Sequence, residues 1–377
     1  MLILINSFIF LFIGLFWQNL NTRTKTLLSL FFSILISVFY TLFYFNGNDW
    51  LIYYLKFKDP GSAFTTFEPA FSILFSFLLY LSLDNFTAAI LYYFIICFSL
   101  ISLFCIKNKC NYFYFIGFLL IALGHNLVLE QLRQFMACII ILYSFMLYRY
   151  HRSSCYILII LASLFHTSSI IFLFILPAIR IKNKYFFLCA STILVSLFIG
   201  LIQNPSSLFY LIPFIGNKLN FYIDSNKITF NIGYLTTLDI LYFIILAILL
   251  FNTKKESYIL YIKIFIIGCQ IHFLSSLIPF FVRVSYYVYF LCFYVFSCFL
   301  SSNEASRTQK QSLLFVVCIF ISSHFISYFR NSNAPINFST TTLYLNNLII
   351  DDNVLYNYSL ERYRNLQLTN NPSIYNP

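Results

Sequence analysis

Charged side chains are scarce in this chain of 377 residues. Only 9% of the residues are Asp, Glu, Lys or Arg, and Asp and Glu together number 12. A soluble domain carries about 25% charged residues, so this composition excludes an ordinary soluble protein. Hydrophobic residues make up 60% of the chain instead. We therefore interpret it as an all-α polytopic membrane protein, because helices satisfy their own backbone hydrogen bonds in lipid.

The signatures of several enzyme classes are also missing. The 10 cysteines include no C-x-x-C pair, and the acids and histidines lack the spacing of zinc or calcium sites. Phosphate-binding glycine loops, nucleophile elbows and dinucleotide-binding fingerprints are absent as well. We therefore expect no metal and no cofactor, and we interpret the cysteines as small core residues.

Lysine and arginine give the chain a net charge of +11. In a soluble protein this charge would suggest nucleic acid. Here the basic residues cluster in short loops between apolar runs, which is the positive-inside pattern of membrane proteins, so no nucleic-acid partner is expected. Placing every basic loop in the cytoplasm leaves the N-terminus and the C-terminal tail outside. The loops contain Arg23/Lys25, Lys107/Lys109, Arg149/Arg152, Arg180/Lys182/Lys184, Lys254/Lys255 and Arg307/Lys310.

Apolar runs close to the roughly 20 residues that span a bilayer predict about ten full transmembrane helices. They form one bundle over residues 1–329, with long outer loops at 46–69 and 203–232 and a polar extracytoplasmic tail at 330–377. The predicted spans are 2–17, 27–45, 86–106, 111–129, 133–148, 185–202, 233–251, 258–278, 284–300 and 312–329.

Two segments do not fit as simple spans. Residues 70–83 are apolar over only about 14 residues, a length typical of a re-entrant or interfacial segment. Residues 153–179 form one long apolar run whose flanks are both basic. Both flanks lie in the cytoplasm only if the chain turns back, and the polar run 166–169 is the place to turn. We therefore predict a broken hairpin, with two short helices that meet at His166.

Polar clusters interrupt the apolar sequence at 126–137 and at 166–169. A charge in hydrocarbon costs roughly 2.5–3.5 kcal/mol, so polar residues retained there usually mark the path of a substrate. On the predicted topology several ionisable residues converge at the outer face, which makes that face the expected active face. These residues are Asp49, Asp59, Glu68, Glu130, Arg133, His166, His272 and Arg283.

Arginine and histidine suggest the chemistry of this face. Arg133 and Arg283 each present a planar fork of donors that suits a phosphate or pyrophosphate, and the alternative is an interfacial arginine that snorkels to lipid headgroups. His166 suits a general base, because imidazole accepts a proton near physiological pH, and Thr167 and Ser168 would fix its ring. The alternative is a core histidine bonded to the backbone.

Glu68 is a second candidate for catalysis. A carboxylate next to lipid is poorly hydrated and therefore more basic, so Glu68 is the rival of His166 as the base, or else it orients the acceptor sugar. The alternative is a simple helix start, because Pro69 follows it. Gln134 is a further candidate ligand of a diphosphate. The candidate supporting residues are Asn126, Glu130, Thr167, Ser168, Tyr286 and Asp49.

These motifs together resemble the EpsG family of Wzy-like polymerases. The resemblance rests on Leu132-Arg133-Gln134-Phe135-Met136-Ala137 after Asn126, followed by Phe165-His166-Thr167-Ser168-Ser169. It extends over residues 45–290, where Asp49, Glu68-Pro69 and Arg283-Val284-Ser285-Tyr286-Tyr287 agree with it. One departure is Phe135, because family members often carry a small residue at that point.

The resemblance implies a membrane glycosyltransferase-like bundle that works without nucleotide sugar or metal. Its donor and acceptor would be polyprenyl-diphosphate-linked oligosaccharides, joined into O-antigen, capsule or exopolysaccharide at the outer face of the bacterial inner membrane. Two arginines on that side would neutralise the charge that develops on the leaving diphosphate. Membrane lipid and a chain-length regulator or flippase of the same pathway are further partners that the resemblance implies.

Three other functions stay open. A lipid-linked oligosaccharide flippase, or another transporter, would also use intramembrane arginines, but it would be expected to show paired repeats, which the sequence lacks. A polysaccharide O-acyltransferase usually carries an early histidine–arginine pair, whereas the first histidine here is His125. An O-antigen ligase differs from a polymerase only in its acceptor.

Overall fold

The structure is a computed structural model that describes residues 2–44, 49–148, 151–179, 181, 183–203, 259–277 and 280–301, with isolated positions beyond 301. All regular secondary structure in these ranges is helical, as the apolar sequence predicts. The first helices are α1 (Leu2–Gly14), α2 (Thr22–Phe43), α3 (Trp50–Lys58), α4 (Pro60–Thr66), α5 (Pro69–Leu81), α6 (Phe86–Lys107) and α7 (Tyr112–Leu123).

The second half of the described chain contains two irregular helical segments. A π-helical segment (Gly124–Glu130) continues α7, and a 3₁₀ segment (Thr167–Ile171) follows α9. The remaining helices are α8 (Leu132–Leu147), α9 (Arg152–Phe165), α10 (Phe172–Ala178), α11 (Lys184–Gln203), α12 (Ile259–Leu277) and α13 (Phe280–Ser301).

Four helices of the described chain are long and apolar enough to cross a membrane. They are Thr22–Phe43, Phe86–Lys107, Tyr112–Glu130 and Phe281–Ser301. The other apolar helices are shorter, so the polytopic membrane class agrees with the structure, whereas the count of about ten spans stays a prediction. The predicted span 233–251 and most of 312–329 lie outside the described residues, as do the outer loop from residue 204 onward and nearly all of the 330–377 tail.

The bundle is built from antiparallel helix pairs. Helices α7 and α13 are the most enclosed of its long apolar helices. Helix α1 packs on α7, α2 on α6, α8 on α9 and α12 on α13, while α13 also contacts α7 and α8. Nearly every side chain of α7 is buried, which its uniformly apolar sequence explains. The close contact of α1 and α7 needs Gly117, because a Cβ there would lie 2.7 Å from the Leu11 side chain.

The described part of the predicted outer loop at 46–69 forms α3 and α4, and its location outside the membrane stays a prediction. Helix α3 forms because its aromatic residues recur with helical spacing and are buried against the bundle. Helix α4 starts where the Asp59 side chain accepts a hydrogen bond from the Gly61 N–H at 3.2 Å and Pro60 occupies the first turn. The buried aromatic residues of α3 are Trp50, Tyr53, Tyr54 and Phe57.

The predicted interruption of 153–179 is present at His166. Helix α9 ends at Phe165, His166 has extended backbone angles (φ −158°, ψ 117°), and helical structure resumes at Thr167. Extended backbone between short apolar helices is tolerated in a membrane protein where protein or a wet cavity surrounds it. Residues 70–83 match the short helix α5, and their re-entrant path stays a prediction. Lys182, which marks the far flank of the proposed hairpin, lies outside the described residues.

Candidate active site

The site begins where α7 changes into the π-helical segment that precedes Arg133. Wider π-helical turns are rare and often occur at functional sites. Two buried tyrosines bind on either side of this segment: the Tyr40 hydroxyl donates to the carbonyl of Gly124, its first residue, at 3.0 Å, and the Tyr93 hydroxyl donates to the carbonyl of Leu132, the first residue of α8, at 2.5 Å. Helix α8 therefore starts after an irregular segment that these two hydrogen bonds fix in place. Arg133 lies in the first turn of α8.

Arg133 is the centre of the site. Its Nη1 forms an ion pair and hydrogen bond with Glu68 Oε2, and its Nε donates to the Tyr53 hydroxyl at 3.4 Å. The guanidinium also lies over the Phe67 ring, 5.0 Å from the ring centroid, in a cation–π contact. Among the described residues, nothing accepts a hydrogen bond from Nη2. Arg133 is therefore oriented on one edge and keeps donors for a ligand on the other.

Glu68 connects three parts of the chain. It is the N-cap residue of α5, yet its side chain makes no capping hydrogen bond to that helix. One carboxylate oxygen binds Arg133 instead, and the other accepts a hydrogen bond from the Thr167 N–H at 3.4 Å. The side chain thus joins the start of α5 to α8 and to the break after α9. This arrangement differs from the simple helix start that the sequence left open.

His166 lies at the break between α9 and the 3₁₀ segment, with only 6% of its surface exposed. Its Nδ1 lies 2.7 Å from Ser168 Oγ and 3.1 Å from the Tyr287 hydroxyl, and those two oxygens are themselves 3.1 Å apart. His166 also experiences the charges of Glu68, Arg133 and Arg283. The imidazole is therefore fixed by neighbours and lies within the field of the ion pair.

Gln134 and Arg283 meet across the α8–α13 contact. Gln134 is fully buried, and its amide nitrogen donates a hydrogen bond to the backbone carbonyl of Arg283. The Arg283 side chain is exposed near the start of α13. The structure therefore places Gln134 behind the backbone that carries Arg283, where it can position that arginine. A direct contact of Gln134 with a diphosphate stays a prediction.

The other predicted residues lie around this centre. Asn126 and Glu130 lie in the π-helical segment, where Glu130 Oε1 lies 3.8 Å from His125 Nδ1, and Tyr286 is buried in α13. Asp49 precedes α3, and its partial burial raises the pKa of its carboxyl, although the positive charges of Arg133 and Arg283 oppose that increase. These side chains supply amide, carboxylate and phenol groups, which donate or accept hydrogen bonds.

Two residues from the predicted convergence make their described contacts elsewhere. The Asp59 side chain is exposed and caps α4, and His272 Nδ1 lies 2.8 Å from the Tyr289 hydroxyl, between α12 and α13. Both predictions relied on charge topology, which assigns a side of the membrane without assigning neighbours. Within the described ranges, no group of three or more His, Cys, Asp or Glu could hold a metal ion.

The sequence predicted no role for three aromatic members of the site, Tyr53, Phe67 and Tyr287, although Tyr287 stands in the motif that begins at Arg283. Helical spacing could have indicated two of them, because Tyr53 follows Asp49 by one turn and Tyr287 follows Arg283 by one turn. No sequence signal singled out Phe67. We call the group formed by Tyr53, Phe67, Glu68, Arg133, His166, Ser168 and Tyr287 the Arg133 cluster.

The Arg133 cluster combines a partly exposed guanidinium, a carboxylate that orients it, and a held imidazole. This combination suits the transfer of a group from an anionic leaving group to a hydroxyl. Searches of curated proteins and of solved structures found no match. The family model described as the EpsG family matches residues 25–343, a range that includes every member of the cluster. The chain therefore belongs to the EpsG family.

Proposed function

We propose that this protein is a polymerase that joins polyprenyl-diphosphate-linked oligosaccharide repeat units into a surface polysaccharide. Membership of the EpsG family supports a polysaccharide-polymerase-like function, and the apolar helices support a location in the membrane. The observation that carries the proposal is the contact of Arg133 with Glu68 next to His166. The product is O-antigen, capsule or exopolysaccharide, made at the outer face of the bacterial inner membrane without nucleotide sugar or metal.

Arg133 and Arg283 bind the diphosphate in this proposal. Nη2 of Arg133 has no hydrogen-bond acceptor among the described residues, and the Arg283 side chain is exposed. As the sugar–phosphate bond breaks, negative charge grows on the leaving lipid diphosphate. Guanidinium groups that are already oriented stabilise this charge without reorganisation in the transition state. Gln134 holds the backbone of Arg283 in place for this contact.

His166 acts as the general base. The acceptor hydroxyl attacks the anomeric carbon of the donor, the new carbon–oxygen bond forms, and the bond to the diphosphate breaks with its electron pair on the leaving group. The hydroxyl proton passes to the Nε2 atom of His166. In the described part of the chain Nε2 makes no hydrogen bond, because only Nδ1 contacts neighbours. Nε2 is therefore the nitrogen whose lone pair remains for the substrate proton in this proposal.

Glu68 has a different role from His166 in this scheme. Both of its carboxylate oxygens are occupied, one by Arg133 and the other by the Thr167 N–H. A carboxylate held in this way orients the guanidinium and connects it to the break that carries His166. The occupied oxygens favour His166 as the base and Glu68 as the group that positions Arg133. Asp49, Asn126, Glu130 and Tyr286 surround the acceptor and donor sugars.

Deletion of the gene that encodes this protein tests the class of function. We expect loss of the polysaccharide ladder on a gel, with a single repeat unit retained on its anchor. Loss of every repeat would instead indicate a ligase or a flippase. A normal ladder with altered acylation would indicate an O-acyltransferase. Complementation with Arg283→Ala should not restore the ladder. The control is Arg152→Ala, which should restore it, because Arg152 is exposed at the start of α9 and lies outside the Arg133 cluster.

The active face is the second part of the proposal. If 153–179 is a hairpin, Arg152 and Lys182 lie on the same side of the membrane and His166 lies toward the other. Cysteine labelling at both positions, in a cysteine-free background, should give the same sidedness. Opposite sidedness would contradict the extracytoplasmic face. A chain-length regulator or a flippase of the same pathway is a proposed partner, and cross-linking from surface cysteines would identify it.

A further inference from the structure

We infer that Tyr287 is a positioning residue for His166, holding the imidazole by Nδ1 so that Nε2 faces the acceptor hydroxyl. The inference rests on the proposed function for the identity of that acceptor. The orientation of His166 itself is a structural property that can be measured without any substrate.

A triangle of three short contacts supports the inference. His166 Nδ1 lies 2.7 Å from Ser168 Oγ and 3.1 Å from the Tyr287 hydroxyl, and the two oxygens lie 3.1 Å from each other. Ser168 follows His166 in the same break, whereas Tyr287 comes from α13. The contact with Ser168 alone would let both residues of the break move together relative to the rest of the bundle. The contact with Tyr287 connects the break to α13, most of which is buried inside the bundle.

Burial makes the Tyr287 hydroxyl a well-placed anchor. The residue has no exposed surface, and its ring lies 5.6 Å from the ring of Phe172, centroid to centroid. A buried phenol needs a hydrogen-bond partner, because an unsatisfied hydroxyl loses its hydration without compensation. His166 and Ser168 are the partners here. The ring packing sets the direction of the hydroxyl, and the hydroxyl then sets the plane of the imidazole.

The triangle also selects the tautomer. A proton on Nδ1 can be donated to Ser168 Oγ, with the Tyr287 oxygen as a second acceptor. A proton on Nε2 would have no acceptor among the described residues, whereas a proton on Nδ1 has two oxygen neighbours. The Nδ1–H form is therefore favoured, which leaves the Nε2 lone pair free. When Nε2 accepts the substrate proton, the Nδ1–H bond persists and stabilises the imidazolium ion.

One turn of α13 carries both Arg283, which binds the diphosphate in the proposed function, and Tyr287, which holds the base. Arg283 precedes Tyr287 by one helical turn, and the Gln134 side chain bonds the carbonyl of Arg283. The distance between a diphosphate on Arg283 and a base held by Tyr287 is consequently set within a single turn. A positioning residue at this place affects turnover more than binding, because His166 acts on the acceptor proton in the transition state.

The test uses Tyr287→Phe, which removes the hydroxyl and keeps the ring that packs on Phe172. We expect kcat to fall about ten-fold with KM nearly unchanged, and roughly a hundred-fold in Tyr287→Phe/Ser168→Ala, as parts of the 10²–10⁴-fold that a general base contributes. In a His166→Gln background, Tyr287→Phe should have no further effect, because residues that act through one another are not additive. Tyr289→Phe, on the same helix, is the control and should retain wild-type turnover.

A second measurement is independent of activity. Ring ¹⁵N NMR of full-length protein with labelled histidine should show His166 as the Nδ1–H tautomer, identified by its loss in His166→Gln. Tyr287→Phe/Ser168→Ala should shift it toward Nε2–H. An unchanged tautomer in that variant, or an equal fractional loss of turnover with and without His166, would overturn the inference. If Tyr287→Phe/Ser168→Ala shows the tautomer shift but the wild-type protein has no polymerase activity, the proposed function fails while the role of Tyr287 in holding the imidazole stands.

Discussion

Two groups of buried polar residues lie in this apolar protein, and they are built differently. The Arg133 cluster draws its members from the α3–α5 region, α8, the break after α9, and α13. The second group, which we call the α12 seam, contains the buried Lys263 and His272 and the half-buried Gln270. In the seam, Lys263 Nζ donates to the Ile179 carbonyl at 2.7 Å, and Gln270 Nε2 donates to Ser191 Oγ at 2.8 Å.

The difference shows that a polar residue in an apolar helix does not by itself mark a site. Each seam contact joins α12 to one neighbouring segment, which is α11, α13 or the end of α10, the usual way in which polar side chains hold helices together in membranes. The Arg133 cluster instead lies between a π-helical segment and a residue with extended backbone, both of which interrupt helices. Irregular backbone together with ionisable groups from several elements distinguishes the candidate site from the seam. The following predictions test this contrast, from the largest expected effect to the smallest.

His166→Gln should lower chain extension by about 10²–10⁴-fold, because glutamine keeps hydrogen-bonding capacity but accepts no proton. Binding of the lipid-linked substrate should be retained. Wild-type activity should rise with pH as the imidazole loses its proton, and this rise should be absent from the residual activity of the variant. The measurement is an in-membrane assay with a defined lipid-diphosphate oligosaccharide. A variant that extends chains at a near-normal rate would remove His166 from the mechanism.

Arg133→Lys should lower extension by roughly 10²–10³-fold, the effect of losing one oriented donor to a developing charge. An ammonium group is a compact point charge, so lysine cannot contact Glu68, Tyr53 and the face of Phe67 at once. The same assay measures the loss. Arg152→Lys provides the matched control, since Arg152 is exposed at the start of α9. Equal activity of Arg133→Lys and Arg152→Lys would contradict a role for the planar guanidinium of Arg133.

Asp49→Asn should raise the thermal stability of the protein at pH 7. Burial raises the pKa of Asp49, so the ionised carboxylate is less favourable in the folded protein than in the unfolded chain. The cost appears as the pH rises through the raised pKa, and it vanishes below the ordinary value of about 3.9, where both states are protonated. The melting temperatures of variant and wild type in detergent should therefore converge on acidification.

Asp59→Asn is the control for this comparison. Asp59 is exposed and caps α4, and asparagine caps a helix equally well, so its melting temperature should match that of the wild type. A lower melting temperature for Asp49→Asn at pH 7 would show that the attraction of Arg133 and Arg283 outweighs burial. That result would make Asp49 part of the fold's electrostatic support.

Gln270→Leu should have the smallest effect. It removes the contacts with Ser191 and Thr192, and interhelical hydrogen bonds in membranes contribute about 0.6 kcal/mol on average. We expect a slightly lower melting temperature and unchanged polymer length. Gel analysis of the polysaccharide together with thermal unfolding checks both. Loss of polymer from a folded variant would show that the α12 seam belongs to the functional site, and the contrast drawn above would fail.

The helices that the sequence placed best are those whose limits are set locally. The predicted span 86–106 corresponds to Phe86–Lys107, and 133–148 corresponds to Leu132–Leu147. Both follow from an apolar run bounded by polar residues. The break at His166 was also predicted, because two basic flanks around one apolar run leave few other arrangements. Outside such runs the prediction was poorer, and the aromatic residues of α3 were assigned to a loop although helical spacing places them on the bundle.

The sequence singled out candidate residues but not their contacts. Glu68, Arg133 and His166 could be selected because ionisable groups are rare in an apolar chain. Tyr53, Phe67 and Tyr287 could not be selected in this way, because the chain contains 30 tyrosines and 49 phenylalanines. When nearly every helix carries aromatic residues, residue type does not distinguish the rings that line a site. Helical spacing from Asp49 and Arg283 indicates Tyr53 and Tyr287, whereas Phe67 is identified only by its neighbours in space.

The sequence by itself determined that this protein is helical, apolar enough for a membrane, and supplied with a few ionisable residues at two interruptions. Those properties depend on composition and on local spacing, which the chain contains before it folds. Tertiary structure decided that Glu68 pairs with Arg133, that Gln134 supports Arg283, and that Tyr287 holds His166. Each of these contacts joins residues at least 65 positions apart, so it exists only when packing brings separate helices within hydrogen-bond distance.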